Sequence, residues 1–205
     1  MEANPTGESI YSKDNIRIVD SKSEGGKFKR VFRVEIDDGN ENRRAMLKLA
    51  RIFRKDSNVR LTEVEKMQTN VEAQDLWKLK LLIPNHVPGY LGKYQSANND
   101  GILVEEVQGS IISNRNGEII QRPSKEQWNR FKDAIVSLTS QGIFIELDTL
   151  LLHNLMLGKL PGSDQEEIIM IEPKIIDGIN DDGKIMAERY VIGALKSDSN
   201  TLFPS

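Results

Sequence analysis

The chain has 205 residues, 38% of them hydrophobic and 29% charged, with a formal net charge of −3. That is the composition of a globular domain or of two small lobes, with no overall field to draw it to nucleic acid or an anionic membrane. The absence of cysteine excludes a disulfide scaffold, a cysteine zinc site and thiol catalysis, and His86 and His153 alone are too few for a multi-histidine metal centre.

No stretch approaches the ~20 apolar residues of a membrane span, and Met1 to Asn15 lacks the apolar core of a secretory signal. A soluble protein is expected, cytoplasmic in its producer or exported without a cleaved signal peptide. Residues 1–15 read as a polar arm. Ile16 to Ile36 alternates as strands do, broken at Glu24-Gly25-Gly26-Lys27, and Asp37-Asp38-Gly39-Asn40 is a turn leading into a second strand over Ala45 to Ala50. Leu61 to Leu82 reads as a helix with Thr62 as its cap, an apolar stripe of Leu61, Val64, Met67, Val71, Leu79 and Leu82, and Pro84 beyond its end. Val87 to Tyr94 and Gly101 to Val107 read as strands, and Gly109 to Pro123 as a linker. A second helix is expected from Ser124 to Gln141, stopped by Gly142. Short strands follow at Leu150 to Leu157, Ile168 to Ile171 and Lys174 to Ile176, with a hairpin loop at Lys159 to Glu167. Weak helical character around Ile185 to Leu195 then frays. The order is α+β, not the alternating pattern of a parallel sheet.

Several segments carry chemistry-bearing residues. The Gly25-Gly26 turn lets main-chain N–H groups approach phosphates, although such a pair is also simply a turn. Lys48, in Ala45-Met46-Leu47-Lys48-Leu49, falls on a mid-sheet strand, where a buried ammonium needs a partner; otherwise it is a solvent-facing lysine. Glu72 on the first helix is one candidate partner, with Glu63 and Glu65 as competitors. Gly101 to Gly109 (Gly-Ile-Leu-Val-Glu-Glu-Val-Gln-Gly) is an extended run ending in glycine. Gly142-Ile143-Phe144-Ile145-Glu146-Leu147-Asp148 leads to Asn154-Leu155-Met156-Leu157, and Pro173-Lys174-Ile175-Ile176 ends in Asp177-Gly178.

Taken in order, these segments resemble the protein-kinase superfamily over roughly residues 20–180. The resemblance implies a minimal kinase-like bilobal fold: a β-rich N-lobe with one helix and hinge over 16–108, and a truncated C-lobe over 109–205. It implies that ATP and Mg²⁺ are the cofactors. Gly25, Gly26 and Val31 would form a reduced glycine-rich loop lacking the family's G-x-G-x-x-G spacing. Lys48 would bind the α/β-phosphates and Glu72 would hold Lys48. Val104 would back the adenine, with Glu105 and Val107 presenting main-chain contacts and Gly109 turning into the second lobe. Asp148 would be the catalytic base, with Asn154 and Asp177 as metal ligands. No histidine precedes Asp148, and the Asp148-to-Asn154 separation is one residue too long, so Thr149 competes for that register. Glu172 competes with Asp177.

Residues 178–205 are too few for the family's usual activation segment and later helices. In size and layout the chain resembles the OspG-type and Hop-type effector kinases of bacterial pathogens. The expectation is therefore a Ser/Thr-type protein kinase acting on a protein substrate, such as a host protein, with no nucleic-acid partner. The alternatives are a pseudokinase acting as a binding module, a small-molecule phosphotransferase of the aminoglycoside-kinase type, and an unrelated α+β interaction domain.

Overall fold

A computed structural model describes residues 9–20, 29–37, 42–50, 63–96, 100–176 and 178–204. The chain divides into two units, residues 1–74 with 89–106, and residues 75–88 with 107–205.

The first unit is built on β-branched and aromatic residues at period two. It holds β1 (Ile10–Tyr11), β2 (Ile16–Ile18), β3 (Lys29–Asp37), β4 (Asn42–Ala50), β5 (Tyr90–Gln95) and β6 (Asp100–Glu105), in the order β1-β5-β6-β4-β3-β2. All neighbours are antiparallel except β1, which runs parallel to β5. Ile10 and Tyr11 thus belong to the sheet rather than to a polar arm. The apolar Ile-Tyr pair supplies the reason, since Tyr11 is buried in the core. That core holds Tyr11, Val34, Ile36, Ala45, Leu47 and Leu103. On β4, Ala45 and Leu47 face it, so Lys48 points to the opposite face of the sheet.

The helix α1 (Glu63–Leu82) begins in the first unit and ends in the second. The proposed capping residue Thr62 and Leu61 lie outside the described residues. Of the expected apolar stripe Leu79 is buried, but Val71 is 41% and Leu82 39% exposed, and Glu72, Ala73, Asp75 and Leu76 are buried beside Leu79; the side chains of Leu61, Val64 and Met67 lie outside the described residues. Two carboxylates on that face hide its periodicity from a hydropathy reading. β5 starts at Tyr90 rather than Val87, because residues 83–89 make a buried bend in which the Ile83 N–H donates to Leu79 O and the His86 N–H to Ile83 O.

The second unit packs α2 (Lys125–Ser140) against short sheets. Ser124 caps α2 by accepting from the Gln127 N–H, and the Gln127 side chain accepts from the Ser124 N–H. Trp128, Phe131, Ile135 and Leu138 form its buried stripe. One sheet has the order β10-β9-β7, from β7 (Gln108–Ile111), β9 (Leu155–Lys159) and β10 (Glu167–Met170). The expected linker therefore opens as a strand. Its Gln-Gly-Ser run gives no hydrophobic signal, because it pairs through its main chain with its side chains outward. Gly109 stands opposite Gly158, where a Cβ at 109 would collide with the Leu157 carbonyl. It serves this close approach rather than a turn. The expected strand at 150–157 begins only at Leu155; before it lie α3 (Leu147–Leu150) and a 3-10 turn at Leu152–Asn154. β11 (Ile175–Ile176) pairs with β8 (Phe144–Ile145). The last helix, α4 (Asp181–Leu202), does not fray after Leu195. Asn180 caps it, accepting from the Gly183 N–H at 2.8 Å, and Leu202 is fully buried at its end.

Candidate active site

In the first unit, Lys48 lies on β4 between β3 and β6, directly across from Val31 on one side and Ile102 on the other. Only 6% of it is exposed, and its Nζ meets Glu72 Oε1 at 3.2 Å; Glu72 is equally buried. Burying two charges costs several kcal/mol per ion before their attraction offsets it. Such a pair is weak as a stabilising device, and its place on an interior strand calls for another reason. Val104, on β6, is buried and pairs with Met46 and Tyr90. Glu105 closes that strand. Its N–H donates to Gly89 O at 2.9 Å, its Oε2 accepts from the Gly89 N–H at 2.7 Å, and its Oε1 lies 3.6 Å from Arg43. Gly25 and Gly26 lie outside the described residues.

In the second unit, Asp148 is exposed within α3. Asn154 ends the 3-10 turn, and its Nδ2 donates to the Asp148 carbonyl at 2.6 Å, which leaves Oδ1 as the acceptor of the amide. This bond spans the separation of six residues that leaves the Asp–Asn register open in the sequence. Thr149, the competitor for that register, is 2% exposed and donates its hydroxyl to Glu172 O at 3.2 Å, so it is engaged inward. The Ile171 N–H donates to Asn154 O at 3.2 Å. The main chain of residues 171–172 is thereby fastened beside both Thr149 and Asn154. Asp177 lies outside the described residues. Val107 follows β6 as a half-buried residue of the second unit. Among the described residues no three His, Asp or Glu side chains converge on a point as metal ligands would.

Similarity to solved structures decides the fold. The kinase fragment of C. elegans twitchin, an autoregulated protein kinase with immunoglobulin domains, matches with a TM-score of 0.53 at 14% identity, covering 80% of this chain and 34% of its own. Rad53 1–466 in complex with AMP-PNP matches with a TM-score of 0.60 at 12% identity, covering 88% of this chain and 45% of its own. The fold is protein-kinase-like. This kinase-like chain spans less than half the length of either structure. No protein-family model and no curated protein matches its sequence.

One residue of this kinase-like fold escaped the sequence reading. Asp75 is buried in α1, and its Oδ2 accepts from the Ile175 N–H at 3.0 Å, across 100 positions of sequence. The available signal was an aspartate, a poor helix former, in the interior of an otherwise well-formed helix.

Proposed function

We propose that this chain is an ATP- and Mg²⁺-dependent protein kinase of the Ser/Thr type. The observation that carries the reading is the buried Lys48–Glu72 pair at 3.2 Å, on an interior strand and the helix after it, within a kinase-like fold. Phosphate oxygens give a buried ammonium the further partners that make its burial worthwhile.

In this reading Lys48 binds the α/β-phosphates and Glu72 orients Lys48. Val31, Val104 and the main chain of Glu105 and Val107 receive the adenine, and Gly25 and Gly26 cover the phosphates. Asp148 orients the acceptor hydroxyl and takes its proton. Mg²⁺ supplies charge neutralisation at the transferring phosphoryl group. Its protein ligands are Asn154, through Oδ1, and an acid from the segment after β10. Two acids compete for that place, Glu172 and Asp177. The fastening of residues 171–172 beside Thr149 and Asn154 favours Glu172. The acceptor is a protein hydroxyl, and the resemblance in size and layout to secreted effector kinases makes host-cell proteins the first substrates to test.

Calorimetric titration with Mg²⁺·AMP-PNP tests the binding half of this proposal. Wild type binds, and Lys48→Ala weakens binding; an absence of binding by wild type contradicts the reading. Phosphate transfer by Glu172→Gln and Asp177→Asn then identifies the ligand. The variant of the true ligand needs far more Mg²⁺ for half-maximal rate, and the other does not. Binding without transfer in wild type would identify a pseudokinase, a nucleotide-dependent binding module.

A further inference from the structure

Asp75 has no part in the reaction as outlined, yet its placement is costly. A carboxylate has been buried in the interior of α1, where aspartate is a poor helix former, and it spends one oxygen on a main-chain N–H from a distant strand. That strand leads out of the segment that carries both candidate cation ligands. Glu172 lies three residues before Ile175, and Asp177 two residues after it.

The other described contacts of the segment are the main-chain pairing of β11 with β8 and a few exposed or neutral ones. The Glu146 N–H donates to Lys174 O at 3.0 Å, Lys174 Nζ meets Glu146 Oε2 at 3.2 Å with both side chains nearly half exposed, and Thr149 donates to Glu172 O at 3.2 Å. The Asp75 contact is buried, and losing it would cost the Ile175 N–H its carboxyl acceptor.

We infer that Asp75 is a positioning residue for phosphate transfer: it anchors the segment 172–176 through the Ile175 N–H and so presents Glu172 at a fixed place. This inference rests on the kinase reading above.

The test is the Mg²⁺ dependence of phosphate transfer by the full chain, for wild type, Asp75→Asn and Asp75→Ala. Asparagine keeps an acceptor oxygen for the Ile175 N–H; alanine does not. We expect D75A to raise the Mg²⁺ concentration for half-maximal rate by about tenfold, the low end of the cost of disturbing the support of a metal ligand, and D75N to recover most of that loss. Circular dichroism establishes that each variant is folded. If D75A does not fold, Asp75→Ser, which is too short to reach, takes its place with the same expected rise. A folded D75A or D75S whose Mg²⁺ dependence equals that of wild type overturns the inference, even if its rate or melting temperature falls, because a merely structural role predicts that pattern. A wild type that transfers no phosphate at any Mg²⁺ concentration overturns the kinase reading and this inference together; an active wild type with an unaltered variant overturns this inference alone.

Discussion

Lys48 and Glu72 answer differently to substitution, because each is the other's compensation. Glu72→Ala removes the carboxylate that faces a buried ammonium, and breaking such a pair from one side destabilises by about 3–5 kcal/mol. Replacing both at once, with Lys48→Met and Glu72→Leu, removes both buried charges together and costs less than the single change. Urea denaturation of the two variants checks this, and an E72A protein as stable as wild type would contradict the burial of the pair. Thr149 gives a smaller effect. Thr149→Val keeps its shape and loses one hydrogen bond to Glu172 O, for about 1 kcal/mol, and Thr149→Ser restores most of it. Asp198 is pushed up to about 6 by burial. Its unfolded form ionises near pH 4 while the folded form still holds its proton, so stability falls as pH rises through that window and stays lower above about 6. Asp198→Asn is accordingly expected to raise the melting temperature at pH 7.5 and not at pH 3.5; an equal rise at both pH values would contradict this.

At the scale of elements, the legible parts were those whose inward residues are apolar and regularly spaced. The β3–β4 hairpin could be read because Val34, Ile36, Ala45 and Leu47 alternate inward. α2 could be read because Ser124 and Gln127 close a capping box ahead of Trp128, Phe131, Ile135 and Leu138. Ser124→Ala should cost α2 about 1 kcal/mol, measured by chemical denaturation. The illegible parts were held by something other than side-chain hydrophobicity. α1 turns Glu72 and Asp75 inward, so its true face looked polar and Val71 and Leu82 were read in its place. β7 pairs through its main chain, and the Gly109–Gly158 register that it requires emerges only when its partner is known. At Gly158 a Cβ would stand 2.6 Å from Gln108 O, so Gly158→Ala should separate β7 from β9, with a loss of roughly 1–3 kcal/mol. The site followed the same division. Lys48 and Glu72 were recognisable as a buried charge in need of a partner. Asp75 was not, because its partner is a main-chain N–H 100 residues away.

For the whole molecule, the fold is protein-kinase-like, and no described helix is long and apolar enough to cross a membrane. The second unit also carries its own acid sensitivity. Burial lowers the His86 pKa from its ordinary 6.5. The carbonyl of Ile168, 2.8 Å from Nδ1, and the charge of Glu167 oppose that shift, and Arg130 adds to it. The unfolded chain takes up a proton at His86 before the folded chain does, so this contribution to stability is complete above about pH 6.5 and is lost as pH falls below it. That sign is opposite to the Asp198 effect, and Asp198→Asn, which abolishes only the latter, separates them in a pH series of thermal melts. The most direct measurement of the central claim is transfer of label from γ-labelled ATP, with Mg²⁺, to proteins of a cell lysate by wild type and by Lys48→Ala. The account predicts labelled bands with wild type and a loss of about 100-fold or more in K48A, the scale for removing a group that neutralises transition-state charge. Undiminished labelling by a purified K48A protein would contradict it, because the buried lysine would then have no part in the chemistry.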